Sequence, residues 1–301
     1  MQQLSGQDAM FLHAEIDGLP QHIGGVSIYD QSTAPGGKVR FKQILAMLED
    51  RVHLSPIFRR KLAFVPYNLG RPYWVEDPDF DMEYHVRHIA LPKPGDWRQL
   101  CILTARIHSQ PLRRDKPLWE MYVIEGLNNV EGYPPNCFAL LLKVHHCAMD
   151  GATGTQFMNI VHDLTPEVRE VGDAPPWIVE RPSNARMLGR AYLDAWRKPG
   201  QVVDMLKEAG PAFMRIRRGR KEEQFHTLEE KQKTRFQGKI SRHRVVEART
   251  FDFGDIRRIK NTLPGTTVND VMLTIVAGGL RKYLDSKGEL PDPSLVTGCP
   301  I

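Results

Sequence analysis

Apolar positions along this chain recur with helical spacing in some stretches and strand spacing in others. Phe41, Ile44, Leu45, Leu48 and Val52 recur three and four apart, which predicts an amphipathic helix. Leu118 to Ile124 alternates as a strand does, and Cys137 to Val144 is a nearly unbroken apolar run. The run follows the chain-breaking Tyr133-Pro134-Pro135-Asn136, so it predicts a short strand buried on both faces. Thr153 to Leu164 predicts a helix with Phe157, Ile160, Val161 and Leu164 on one face. Further along, Thr267 can cap a helix whose apolar stripe is Val268, Val271, Met272, Ile275, Val276, Gly279 and Leu280. Asp270 lies three residues past that cap, where a carboxylate favours the helix dipole. Ala34-Pro35-Gly36-Gly37 reads as a turn.

These elements divide the chain. Residues 1–172 form a first domain dense in strand and helix patterns. Residues 173–244 read as a crossover: the stretch around Pro175, Pro176 and Pro182 breaks the pattern, a helical segment follows around Met187 to Met214, and a basic segment runs on from there. Residues 245–301 read as the start of a second domain, cut short at Gly298-Cys299-Pro300-Ile301.

Composition narrows the classes. With 41% hydrophobic residues, 301 residues can build real cores, so a disordered chain is excluded. The longest apolar stretch, Val271 to Leu280, is interrupted by Thr274, Gly278 and Gly279 and falls short of the ~20 residues of a membrane span. Met1 to Gly6 lacks the basic-then-apolar order of a signal peptide. Four cysteines without CxxC pairs fit a reducing cytosol and argue against a zinc ribbon or disulfide framework. His85-Val86-Arg87-His88 offers no third ligand, so no metal site is expected there. From Met214 to Arg249, 12 Lys or Arg face 5 Glu and no Asp. Such a segment can meet nucleic acid, anionic lipid or a phosphorylated ligand, or be a solvated linker. The lack of interleaved aromatics from Arg215 to Lys221 argues against nucleic acid.

The candidate chemistry lies in Lys143-Val144-His145-His146-Cys147-Ala148-Met149-Asp150-Gly151. Adjacent strand residues point to opposite faces, so a histidine pair at a strand's end offers one working and one structural residue. An imidazole can take a proton from an alcohol at neutral pH. Asp150-Gly151 supplies a turn, and Asp150 can fix the loop through an ion pair. Cys147 sits beside the pair but is expected to point away, so a thiol nucleophile is disfavoured.

HHxxxDG after a buried strand is similar to the signature of the coenzyme A-dependent acyltransferase superfamily, which includes chloramphenicol acetyltransferase, plant BAHD acyltransferases and peptide-synthetase condensation domains. Leu4-Ser5-Gly6-Gln7-Asp8-Ala9-Met10-Phe11-Leu12, His22-Ile23-Gly24-Gly25, Tyr84-His85-Val86-Arg87-His88 and Pro117-Leu118-Trp119-Glu120 resemble, in order, bacterial wax ester synthase/diacylglycerol acyltransferases. So do Val123-Ile124-Glu125-Gly126-Leu127, Phe236-Gln237-Gly238-Lys239-Ile240-Ser241 and Val268-Asn269-Asp270-Val271-Met272.

The resemblance implies a two-domain α/β fold of the chloramphenicol acetyltransferase type, with mixed sheets and helices. It implies His146 as general base, His145 in support, and Asp150 and Gly151 shaping the loop. Asn269 would face the channel, where an amide near a helix N-terminus suits an oxyanion, although a second cap-region hydrogen bond is an equal reading. Asn269 and Asp270, with Pro117, Leu118 and Trp119, mark the substrate site, the Pro117 stretch chiefly as its scaffold. The implied reaction moves a long-chain acyl group from acyl-CoA, a substrate rather than a cofactor, onto a fatty alcohol or a diacylglycerol. It further implies a cytoplasmic protein in peripheral contact with the inner membrane or lipid droplets, with no nucleic-acid partner and the oligomeric state open. A carrier-protein-dependent condensation enzyme and a non-catalytic lipid-binding protein are the alternatives.

Overall fold

Capping side chains and alternating apolar residues set the elements of the first unit. In this computed structural model, which describes residues 2–16, 18–149, 151–165, 167, 169–175, 183–193, 234–238, 240–292 and 295, they run in the following order. β1 (Gln2–Gln3) leads into α1 (Gly6–Ala14), whose N-cap Ser5 accepts the Asp8 N–H at 3.0 Å. β2 (His22–Tyr29), α2 (Phe41–Arg51), β3 (Arg60–Ala63) and β4 (Tyr73–Glu76) follow. Then come α3 (Met82–His85), β5 (Val86–Ala90) and α4 (Trp97–Ser109), the last started by a capping box of Asp96 and Gln99. β6 (Trp119–Leu127), β7 (Cys137–His145), α5 (Gly151–Val161) and a helical stretch, α6 (184–193), complete the unit.

A four-stranded sheet in the order β2-β7-β6-β5 forms the frame, antiparallel except for the parallel β5–β6 pair. A smaller antiparallel sheet, β1-β4-β3, stands apart from it. The central strand β7 explains its own sequence. Its odd positions Cys137, Ala139 and Leu141 pack with Leu100 and Ile107 of α4, while Phe138 and Val144 pack with Ile44, Leu45 and Leu48 of α2 and Phe157, Ile160 and Val161 of α5. Helices cover both faces, so alternation disappears and the strand reads as one apolar run. Burying each of the larger ones, such as Phe138, Leu141 and Val144, contributes about 1.5–3 kcal/mol.

The chain divides into two compact units, Met1–Val203 with Ile240–Val246, and Asp204–Lys239 with Glu247–Ile301. In the second, α7 (Phe253–Asn261) is capped by Asp252 and α8 (Val268–Asp285) by Thr267, with Asp270 completing a capping box. Arg235 there holds Glu289 at 2.6 and 2.8 Å and the Tyr283 hydroxyl at 3.0 Å.

One sequence expectation needs correcting. Leu164 does not extend the face of α5: the helix stops at Val161, two residues before Asp163 pairs with the buried Arg51, and Leu164 is wholly exposed. The α8 helix forms as expected from its Thr267 cap; of its residues Val271 and Leu284 are buried, while Val276 keeps 55% of its surface exposed. Residues 176–182 of the expected linker, the rest of the expected helix to Met214 and the basic segment through residue 233 lie outside the described residues. Among the described residues no helix is long and apolar enough to cross a membrane.

Candidate active site

β7 ends at His145, and His146–Ala148 winds into a 3-10 turn. Two backbone bonds pin this corner: the His145 N–H is donated to Leu118 O at 2.9 Å and the His146 N–H to Gln21 O at 2.8 Å. The neighbouring imidazoles then meet different surroundings.

His145 is buried, with 1% of its surface exposed. Its Nδ1 accepts the Cys147 N–H at 3.1 Å, and its Nε2 lies 2.7 Å from Glu15 Oε2. A nitrogen that accepts carries no hydrogen, so the ring proton is on Nε2 and is donated to Glu15. Arg114 donates to the same carboxylate oxygen at 3.2 Å and to Leu12 O at 3.1 Å. Burial alone would raise the Glu15 carboxyl, but the hydrogen bonds and charges of His145 and Arg114 outweigh it and leave it below the ordinary range. With both nitrogens engaged, His145 has no lone pair left for a substrate.

His146 is half-buried, its ring lying flat on that of Phe11 with centroids 4.1 Å apart and planes 6° from parallel. Among the described residues neither of its ring nitrogens has a hydrogen-bond partner. Of the two histidines it is therefore the one placed to exchange a proton. Asp150 lies outside the described residues, and Gly151 opens α5. Cys147 is packed with Leu4, Leu12 and Leu118, and burial, with Asp8 and Glu15 adding, pushes its thiol well up. A thiol so placed is a poor nucleophile.

Pro117, Leu118 and Trp119 are all buried. Trp119 exposes nothing, and its indole N–H is donated to Phe58 O at 2.9 Å. Substrate contact by the Leu118 and Trp119 side chains does not hold, because the core encloses them; their part is the frame, with Leu118 O receiving the His145 N–H. Asn269 and Asp270 belong to the second unit, on the first turn of α8. Asn269 is exposed, whereas Asp270 accepts both the N–H and the hydroxyl of Thr267 at 2.7 Å, bonds that hold its carboxyl below its ordinary value. Its carboxylate is occupied by the cap.

The sequence reading did not single out Phe11, Glu15, Arg114 or His22 as site residues. The available signal was spacing: Glu15 follows Phe11 by one helical turn on a helix begun by Ser5. Glu15, Arg114, Arg242 and His243 also line a cavity of about 470 Å³ within the first unit. His85 is structural, its Nδ1–H donated to Trp119 O at 2.7 Å, and His88 pairs with Glu125 at 3.2 Å. Among the described residues no group of three or more His, Cys, Asp or Glu is arranged to hold a metal.

The sequence pattern of the wax ester synthase/diacylglycerol acyltransferase catalytic domain matches residues 4–272, taking in both histidines, Asp150 and Asn269. The chain belongs to this family. A putative diacylglycerol O-acyltransferase of Mycobacterium tuberculosis (strain CDC 1551) is 34% identical over 307 residues, covering 100% of this chain and 58% of the relative. A probable diacylglycerol O-acyltransferase of M. tuberculosis H37Rv is 33% identical over 299 residues, covering 98% of this chain and 63% of its own length. The fold is similar to that of the wax ester synthase/diacylglycerol acyltransferase from Marinobacter aquaeolei VT8, with a TM-score of 0.60 and 26% identity over 97% of this chain and 63% of that one. This member of the wax ester synthase/diacylglycerol acyltransferase family thus spans about three-fifths of the length of these relatives.

Proposed function

We propose that this protein transfers a long-chain acyl group from acyl-CoA to the hydroxyl of a fatty alcohol or a diacylglycerol, by direct transfer with His146 as general base. The observation that carries this reading is the contrast between the two imidazoles: His145 has both ring nitrogens bound, while the His146 ring is held by stacking alone among the described residues. A free His146 nitrogen takes the hydroxyl proton as the oxygen attacks the thioester carbonyl. The tetrahedral oxyanion collapses, the C–S bond breaks, and the imidazolium returns its proton to the coenzyme A sulfur. No acyl-enzyme and no cofactor are needed.

Asn269, exposed on the first turn of α8, is our candidate donor to the oxyanion. Its loss should lower turnover by about 10²–10³-fold. The basic groups lining the cavity beside Glu15, Arg114, Arg242 and His243, suit the phosphates of the thioester donor. Peripheral contact of a cytoplasmic protein with an anionic membrane or lipid droplet rests on the basic composition of residues 214–249.

The deciding experiment follows thiol release from palmitoyl-CoA with hexadecanol or with a diacylglycerol, for the protein and for His146→Ala. The expected result is acceptor-dependent release that falls about 10²–10⁴-fold in the variant. Release only with a phosphopantetheinylated carrier would favour a condensation-type enzyme. Lipid binding without release by the unaltered protein would leave a non-catalytic binder.

A further inference from the structure

Two residues one turn apart on α1 reach the two consecutive histidines by different means. Phe11 covers one face of the His146 ring, and Glu15 accepts the ring N–H of His145. Glu15 is the C-cap of α1, and its N–H closes on Phe11 O at 3.2 Å, so the two side chains share one rigid turn. That turn is anchored: Leu4, Ala9 and Leu12 are buried with Leu62, Leu118 and Cys147 in one apolar cluster.

We propose that Phe11 and Glu15 are positioning residues that hold the base in its working orientation, a role that rests on the acyl-transfer reading above. Glu15 acts through the main chain. By accepting at Nε2 it fixes the proton there and leaves a lone pair on Nδ1, which holds the Cys147 N–H and with it the first turn of the segment carrying His146. The Arg114 guanidinium steadies the carboxylate by donating to the same oxygen at 3.2 Å. Phe11 acts on the ring itself. An imidazole stacked at 4.1 Å cannot tilt without giving up that contact, so its nitrogens are confined to one plane. Misplacing a reacting group by about 1 Å can cost ~10²-fold in rate, which is the leverage available to such a clamp.

The two arms separate experimentally. Thiol release is measured for Phe11→Leu, Phe11→Tyr and His146→Ala, alongside unfolding midpoints. Phe11→Leu keeps apolar bulk but loses the flat face, and should lower kcat about tenfold with KM for the thioester changed less than about twofold. Phe11→Tyr keeps the face and should restore most of the rate. Histidine-selective ¹³C–¹⁵N spectra report the tautomer of His145 directly and need no turnover. The Nε2–H form is expected in the unaltered protein and in Glu15→Gln, whose amide oxygen still accepts, and a mixture in Glu15→Ala. An unchanged kcat in Phe11→Leu beside an inactive His146→Ala, a rate loss that merely follows the unfolding midpoint, or an Nδ1–H tautomer in the unaltered protein would each overturn the proposal. If His146→Ala keeps the full rate, the general-base reading fails instead, and the tautomer spectra still decide the Glu15 arm.

Discussion

His22 stands directly opposite His145 in the β2–β7 ladder, and its Nε2 lies 2.6 Å from the backbone oxygen of His108, to which it donates. Its Nδ1 is buried with no hydrogen-bond partner among the described residues. Burial, with the positive charge of Lys143 adding, lowers its pKa to about 4. Burial takes His85 to about 4 as well, against the opposing hydrogen bond to Trp119 O.

These two histidines make stability depend on pH in a defined direction. An unfolded histidine binds its proton near ~6.5, whereas these refuse it until about 4 in the folded state. Their contribution is complete above pH ~6.5 and is lost as pH falls toward 4, at about 1.4 kcal/mol per unit for each. Glu15 acts in the same direction but lower, because its folded carboxyl lies below 4.5. Urea midpoints should hold from pH 7.5 to ~6.5 and fall from there to pH 5, and His22→Asn should remove about one proton's worth of that slope. A flat profile would contradict this account.

Lys143, entirely buried, is held by Ile107 O at 3.1 Å and Gln110 O at 2.5 Å, with Glu120 Oε2 at 3.6 Å. Glu120 also receives the Tyr122 hydroxyl at 2.8 Å. Lys143→Met removes one charge of a buried pair and should cost about 3 kcal/mol or more. Adding Glu120→Gln should cost less than the sum of the two single changes. Strictly additive losses in urea unfolding would show that the pair is not coupled.

Cys147→Ala should keep thiol release within about twofold of the unaltered protein, since direct transfer needs no thiolate. The small cavity it leaves should cost about 1 kcal/mol. A folded variant with a rate reduced about 10³-fold would instead demand a covalent step through sulfur.

On the proposed mechanism, His145→Ala should slow turnover less than His146→Ala, because it removes an acceptor for one backbone N–H and not the proposed base. Circular dichroism would confirm that both variants fold. The reverse order between two well-folded variants would exchange the roles assigned here.

Much of the local architecture is written in the sequence. The apolar run of Cys137–His145 and the turn before it define β7, and Thr267 with Asp270 starts α8, because strand burial and helix capping depend on residues close in the chain. The order His145, His146, Asp150, Gly151 also marks the candidate site. What each histidine ring meets was decided only by folding. Glu15 lies 130 residues from His145 in the chain, and Phe11 is as remote from His146. A proton's place on an imidazole depends on which groups reach its two nitrogens, and nothing local to His145-His146 records that. The same holds for His22, Leu118 and Trp119: sheet register and helix packing, which are non-local, decided that one lies across the ladder from His145 and the others are enclosed in the core.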